Sequence, residues 1–246
     1  MTYYFQWLQE ATRLTIARYP YDCCGPYDRW EYPCRGYVPL LGTPPGATTA
    51  TWRAGSVATW NVSGIGNHYG GSCQVGFSVD KGENPIRARP QPLTPCSGAT
   101  FRVSASYEGD CPHRNNGDGP EGQDFQFTVP QDLPIGEPIV FAWIWYNREQ
   151  ELNMNCAAVE ITAPVHGYSE QSAANNVPFA QRPEMLVADD GNGCFTPHTT
   201  AELKYPQPGP EVFAGDGIYP LELPYGSCGG VGEQAYHGET GNDGHF

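Results

Sequence analysis

The run Ile139-Val140-Phe141-Ala142-Trp143-Ile144-Trp145-Tyr146 is apolar almost throughout. Successive side chains of a strand point to opposite sides, so Phe141, Trp143 and Trp145 share one face while Ala142, Ile144 and Tyr146 share the other. Neither face can be left in water, and any fold containing this strand must cover both. These aromatic side chains are therefore read as core and not as an exposed platform for stacking sugars. Shorter runs on either side alternate in period two: residues 57–62 (VATWNV), 73–80 (CQVGFSVD), 101–107 (FRVSASY), 125–129 (FQFTV) and 157–162 (AAVEIT).

Each run is bounded by Gly, Pro, Asn or Asp. Glycine (30) and proline (24) occupy 54 of 246 positions, which disfavours long helices and favours short strands joined by ordered loops. Several short strands so spaced predict an all-β sandwich. The expected organisation is a leader at 1–22 with a short helix over 5–17, a β-sandwich at 23–163, a loop-rich extension packed on the core at 164–228, and a flexible Gly-rich tail at 229–246. The leader lacks the apolar run of a signal peptide, so Met1 is expected not to be the start of the precursor.

Thirteen Lys and Arg stand against 27 Asp and Glu, a formal charge of −14. Nucleic-acid affinity comes mostly from neutralising phosphates, so DNA, RNA and anionic membrane surfaces are excluded as partners. A neutral polymer such as chitin or glucan is not repelled. No segment is long and apolar enough to span a membrane. Nine cysteines (Cys23, Cys24, Cys34, Cys73, Cys96, Cys111, Cys156, Cys194 and Cys228) are spread along the chain without a CxxC pair. They read as structural disulfides formed in an oxidising compartment, which places the protein outside the cell or in the cell wall. Their odd number leaves one thiol free or pairs it between chains, so self-assembly stays open. Asn61-Val62-Ser63 is a glycosylation sequon.

Four stretches, in this order, carry a resemblance. They are Asn67-His68-Tyr69-Gly70-Gly71-Ser72-Cys73-Gln74; Tyr107-Glu108-Gly109-Asp110-Cys111-Pro112; Phe141 to Asn147 followed by Met154-Asn155-Cys156-Ala157; and Arg182-Pro183-Glu184-Met185-Leu186-Val187-Ala188 followed by Gly191-Asn192-Gly193-Cys194 and Pro206-Gln207-Pro208-Gly209-Pro210. Together they resemble the fungal chitin-active lytic polysaccharide monooxygenases, from about residue 20 to 212. The resemblance implies an immunoglobulin-like β-sandwich with a flat face. On that face one copper is held by a histidine brace: the amine and imidazole of an N-terminal histidine, a second histidine, and an axial tyrosine. Such a T of nitrogens suits Cu(II) and leaves positions open for oxygen.

Matched residue by residue, His68 corresponds to the family's second brace histidine and Glu151 to a glutamate found near the family's copper. Cys34 resembles the cysteine that staples the leading loop. The first brace histidine falls near Thr12, and no histidine occurs ahead of His68. The axial tyrosine is replaced by Asn153, and the segment from Asn147 to Met154 is shorter than the family's. His113 follows the Cys111-Pro112 loop and is a candidate for the same face, while His166, His198, His237 and His245 lie in the extension or tail. Tyr69, Tyr27 and Trp30 are the loop aromatics best placed to stack on a sugar. Glu149 and Glu151 as a glycosidase pair, and a serine hydrolase, find no support, since no GxSxG occurs. The expectation is a protein that associates with chitin or another cell-wall polysaccharide, or acts structurally, without oxidising it. The alternatives are an active copper monooxygenase whose N-terminal histidine lies outside this sequence, and a copper-binding protein that leaves glycans intact.

Overall fold

The computed structural model describes residues 3–4, 32–64, 68–80, 99–114, 123–164 and 177–228. The expected helix over 5–17, Tyr27, Trp30, Cys23, Cys24, Cys96, His166, His237, His245 and the tail lie outside these residues. In chain order the strands are β1 (Tyr3–Tyr4), β2 (Ala50–Arg53), β3 (Val57–Asn61), β4 (Ser63–Gly64), β5 (Ser72–Ser78), β6 (Arg102–Glu108), β7 (Asp124–Thr128), β8 (Pro138–Tyr146) and β9 (Leu152–Thr162). The extension adds β10 (Cys194–Phe195), β11 (Glu202–Leu203), β12 (Val212–Ala214), β13 (Leu221–Glu222) and β14 (Tyr225–Gly226). Among the described residues the only helical turns are short 3-10 pieces at Cys34–Gly36, Val38–Leu40 and Phe179–Gln181.

The apolar run forms β8, inside a six-stranded sheet ordered β12-β6-β5-β8-β9-β2. β5, β6, β8 and β9 pair antiparallel, and the edge strands β2 and β12 join in parallel. The antiparallel pair β3–β7 packs over one face and completes the sandwich. Phe141, Trp143 and Trp145 point into this layer with Val75, Phe77, Trp60, Phe125 and Phe127. Trp60 stacks on Phe125 at 4.5 Å, and Trp52 meets Phe141 edge-on at 4.9 Å. Two of the polar tips buried here are joined in one chain: Trp60 Nε1 donates to Tyr107 OH (2.9 Å), which donates to the Gln126 carbonyl (2.7 Å).

The opposite face is covered by irregular chain. Val140, Ala142, Ile144 and Tyr146 pack against Val38, Phe101, Met185, Ala188, Leu203 and Tyr205. Irregular backbone can be buried only if its N–H and C=O groups are satisfied. Polar side chains on the sheet do this. Ser72 Oγ donates to the Leu203 carbonyl (2.6 Å) and Ser106 Oγ to that of Pro208 (2.7 Å). Gln74 Oε1 accepts from Leu186 N–H (2.9 Å) and Glu108 Oε1 from Tyr205 N–H (2.8 Å). Tyr146 OH donates to the Leu186 carbonyl (2.8 Å) and accepts from Ala188 N–H (2.9 Å).

Disulfides pin the leading segment, the loop after β6 and the extension. Cys34–Cys156 ties the leading segment to β9, Cys73–Cys111 ties β5 to the loop after β6, and Cys194–Cys228 closes within the extension. Three details differ from the sequence reading. β9 begins at Leu152, ahead of the AAVEIT run, because its whole length pairs with β8. Ala50–Arg53 is an edge strand too short to show a period. The extension, read as loops throughout, contributes β12 to the main sheet through backbone pairing with β6, which needs no side-chain pattern.

Candidate functional site

His68 lies just ahead of β5 in a strained turn. His68 (φ 43°), Tyr69 (φ 60°), Gly70 (φ 94°) and Gly71 (φ 124°) all have positive φ. Non-glycine residues rarely adopt this region, and each held there costs on the order of 1–3 kcal/mol that surrounding contacts must offset. Those contacts come from four directions. Trp145 Nε1 donates to the Gly70 carbonyl (3.1 Å), and Arg114 Nη1 to that of Tyr69 (3.1 Å). Cys111 N–H donates to the Gly71 carbonyl (3.1 Å). Buried Glu202, from the extension, accepts through Oε1 from Gly71 N–H (2.8 Å) and Asp110 N–H (3.2 Å). The two glycines are needed for space as well as conformation. A Cβ on Gly70 would strike Arg114 and Glu202, and one on Gly71 the Tyr146 carbonyl.

A second loop, between β8 and β9, meets the first. Buried Asn147 organises it: Oδ1 accepts from Glu149 N–H (2.9 Å) and Glu151 N–H (3.2 Å), and Nδ2 donates to Glu151 Oε2. The result is a cluster in which His68 Nδ1 stands 3.2 Å from Glu149 Oε2. One ligand atom each from His68, Glu149 and Glu151 lies within 4.8 Å of the others. The His68 ring packs edge-on against Trp145 at 5.8 Å.

Cation-bearing side chains join both loops to the extension. Arg114 is ion-paired with Glu202 and Asp216. Burial works against its charge, but the bonds to Glu202 and Asp216 outweigh this and hold its pKa above the usual value. The same balance acts on Asp216: burial pushes the carboxyl up, and the Ile218 N–H with the Arg114 guanidinium brings it below the ordinary range. Tyr219 receives Arg148, from the β8–β9 loop, at 3.4 Å from its ring centroid and Arg114 at 5.0 Å.

The structure thus brings His68 and Glu151 together. Tyr69 is 71% exposed beside them. His113 is instead tied to Asp110 (2.9 Å) and stacked on Phe125, and among the described residues neither it nor His198 joins the cluster. Asn61 is half-buried at the end of β3. Asn153 is buried in β9 opposite Trp145, and its Nδ2 donates to the Glu151 carbonyl (3.3 Å). Sequence reasoning missed Glu149 as the partner of His68, took Asn147 only as the end of a resembling stretch, and missed Arg114 and Glu202 entirely. Only the Asn147–Glu149–Glu151 spacing carried a local signal.

No protein-family profile matches the chain. Its relatives decide the matter. It is 33% identical over 171 residues to the AA11 family lytic polysaccharide monooxygenase A of Aspergillus fumigatus, covering 69% of this chain and 62% of that protein. It is 30% identical over 229 residues to monooxygenase B of the same family and species, covering 87% and 50%. An AA11 family lytic polysaccharide monooxygenase of Aspergillus oryzae is 32% identical over 160 residues, covering 61% and 34%. Over most of its length this chain is thus a divergent relative of the AA11 lytic polysaccharide monooxygenases. It spans only 34% to 62% of the length of these curated relatives. A cellulose-active polysaccharide monooxygenase from M. thermophila is 14% identical with a TM-score of 0.32, covering 60% of this chain and 66% of that one, a likeness too slight to carry an argument.

Set against the copper site that the family resemblance implies, the cluster does not fit. A histidine brace needs two imidazoles and an amine. The described residues supply one imidazole, whose Nδ1 faces a carboxylate, a second carboxylate, and an asparagine where the axial tyrosine is expected. Imidazole and carboxylate together can hold a divalent cation, but hard oxygens do not favour Cu(I).

Proposed function

We propose that this monooxygenase relative is a secreted protein that associates with a neutral cell-wall polysaccharide, chitin or glucan, without oxidising it. The observation that carries this reading is the donor set: His68 beside Glu149 and Glu151, with Asn153 in the tyrosine's place. A redox cycle through Cu(I) needs soft or nitrogen ligands, and this cluster offers two oxygens for each nitrogen. Association is supported by kinship with proteins named for polysaccharides, by Tyr69 exposed beside the cluster, and by a charge of −14 that is neutral toward an uncharged polymer. The three disulfides support an oxidising, extracellular setting.

The test is retention on insoluble chitin and glucan, with Tyr69→Ala as control, alongside incubation with copper and a reductant. The expected result is retention that falls on removing Tyr69, with no oxidised sugar released. Tight stoichiometric copper with oxidised products would establish instead the copper monooxygenase reading, which kinship with named monooxygenases favours. Copper bound without products, seen by spin resonance, would mark a metal-binding protein. No retention on either polymer would leave only a structural role.

A further inference from the structure

Phe195 and Tyr225 form an exposed aromatic pair on the extension. They face each other across the β10–β14 ladder, with centroids 5.5 Å apart and planes inclined by 29°. The two residues are 41% and 48% exposed. The pair is nonetheless fixed in place. Cys194–Cys228 closes the ladder behind it, and Ser227 N–H donates to the Gly193 carbonyl (2.8 Å). Gln150 Nε2 donates to Tyr225 OH (3.0 Å) and to the Thr196 carbonyl. Gln150 stands between Glu149 and Glu151 and is turned by its own positive φ of 60°, so the pair is bonded to the very loop that carries the cluster's carboxylates.

Rings this exposed contribute little to the core, yet a disulfide, a backbone ladder and the Gln150 hydrogen bonds hold the segments that carry them. Immobilising an aromatic surface beforehand lowers the entropy lost when a ligand settles on it. The surface is apolar across the rings and polar at the edge, where Gln150 and the Tyr225 hydroxyl stand, and these immediate partners are uncharged. A pyranose ring has the matching chemistry, with C–H bonds on its face and hydroxyls around its rim. We propose that Phe195 and Tyr225 are a stacking subsite for a sugar ring of a neutral polysaccharide, reached by a chain that also passes the His68–Glu149–Glu151 cluster. This rests on the polysaccharide-associating reading above.

The test combines two measurements. Aromatic NMR signals are followed as soluble chito- and cello-oligosaccharides are added, and retention on chitin and cellulose is compared among wild type, F195A/Y225A, F195L/Y225L and Y225F. The leucine variant keeps apolar bulk should the alanine variant fold poorly. The proposal expects the Phe195 and Tyr225 ring signals to move. It expects both double variants to bind about tenfold more weakly with an unchanged melting temperature, and Y225F, which keeps the ring, to lose less than about threefold. Wild type and both double variants retained equally, with ring signals unmoved, would overturn the subsite while leaving the polysaccharide reading intact. Absence of any retention or shift for wild type would overturn both. A concentration-dependent dimer abolished by F195L/Y225L would overturn the subsite in favour of a contact between copies.

Discussion

The two faces of the six-stranded sheet are both buried, but by different chemistry. The face toward β3 and β7 is closed by aromatic and aliphatic side chains meeting each other. The face toward the extension keeps Ser72, Gln74, Ser106 and Glu108 buried among apolar neighbours, and each binds a backbone group of irregular chain. The first face needs only shape and hydrophobicity, the non-directional part of folding. The second needs particular donors and acceptors at particular places. The candidate cluster sits where the polar system ends, because Glu202 holds the His68 turn as Glu108 holds Tyr205.

The comparison is sharpest if each face is damaged separately. Phe141→Ala removes a ring at the centre of the apolar face, where Trp52, Phe77 and Phe127 surround it. Loss of about 3–5 kcal/mol of stability is expected, read by denaturant unfolding. Amide exchange should quicken across β5, β8 and β9 together, since those strands share the core. Protection lost at β8 alone would break the idea of one cooperative apolar unit.

Glu202→Gln acts on the polar system with almost no change in volume. The carboxylate accepts from Gly71 and Asp110 and pairs with Arg114, so about 1.5–3 kcal/mol should be lost. The pattern should differ from that of Phe141→Ala. Exchange should quicken at the Gly71 and Asp110 amides, and polysaccharide retention should fall, while the β8 amides keep most of their protection. Uniform loss across the sheet would show that the two faces are one system after all.

The apolar face was legible in the sequence and the polar one was not. The alternation Phe141-Ala142-Trp143-Ile144-Trp145-Tyr146 assigns side chains to faces without further help, and the structure divides them the same way. Ser72, Gln74 and Ser106 alternate with apolar residues just as a solvent-facing row would. Nothing local says that an aperiodic segment about a hundred residues away will cover them. The cluster was half legible. His68 and Glu151 followed from the resemblance. Glu149 meets His68 across 81 positions, and Glu202 meets Gly71 across 131. Such contacts are products of the finished fold, so no spacing rule finds them.

The smallest expected effect lies at the outer rim of the polar system, at Asp216. Its carboxyl is pushed up by burial but held below the ordinary range by the Ile218 N–H and Arg114. A carboxyl with a lowered folded-state pKa adds stability that is fully present above the unfolded value, about 3.9, and is lost as pH falls through the folded value. Because the group is largely open to solvent, the contribution should stay under about 1 kcal/mol and shrink further in about 1 M salt. Lowering the pH through the acid range should therefore release the Ile218 amide and the Tyr219 ring before the sheet responds, as followed by NMR. In Asp216→Asn the same signals should start in the released position and show no further acid step. If they instead move only with global unfolding, the rim is bound into the sheet as tightly as the aromatic core, and the contrast between the faces does not extend to the surface.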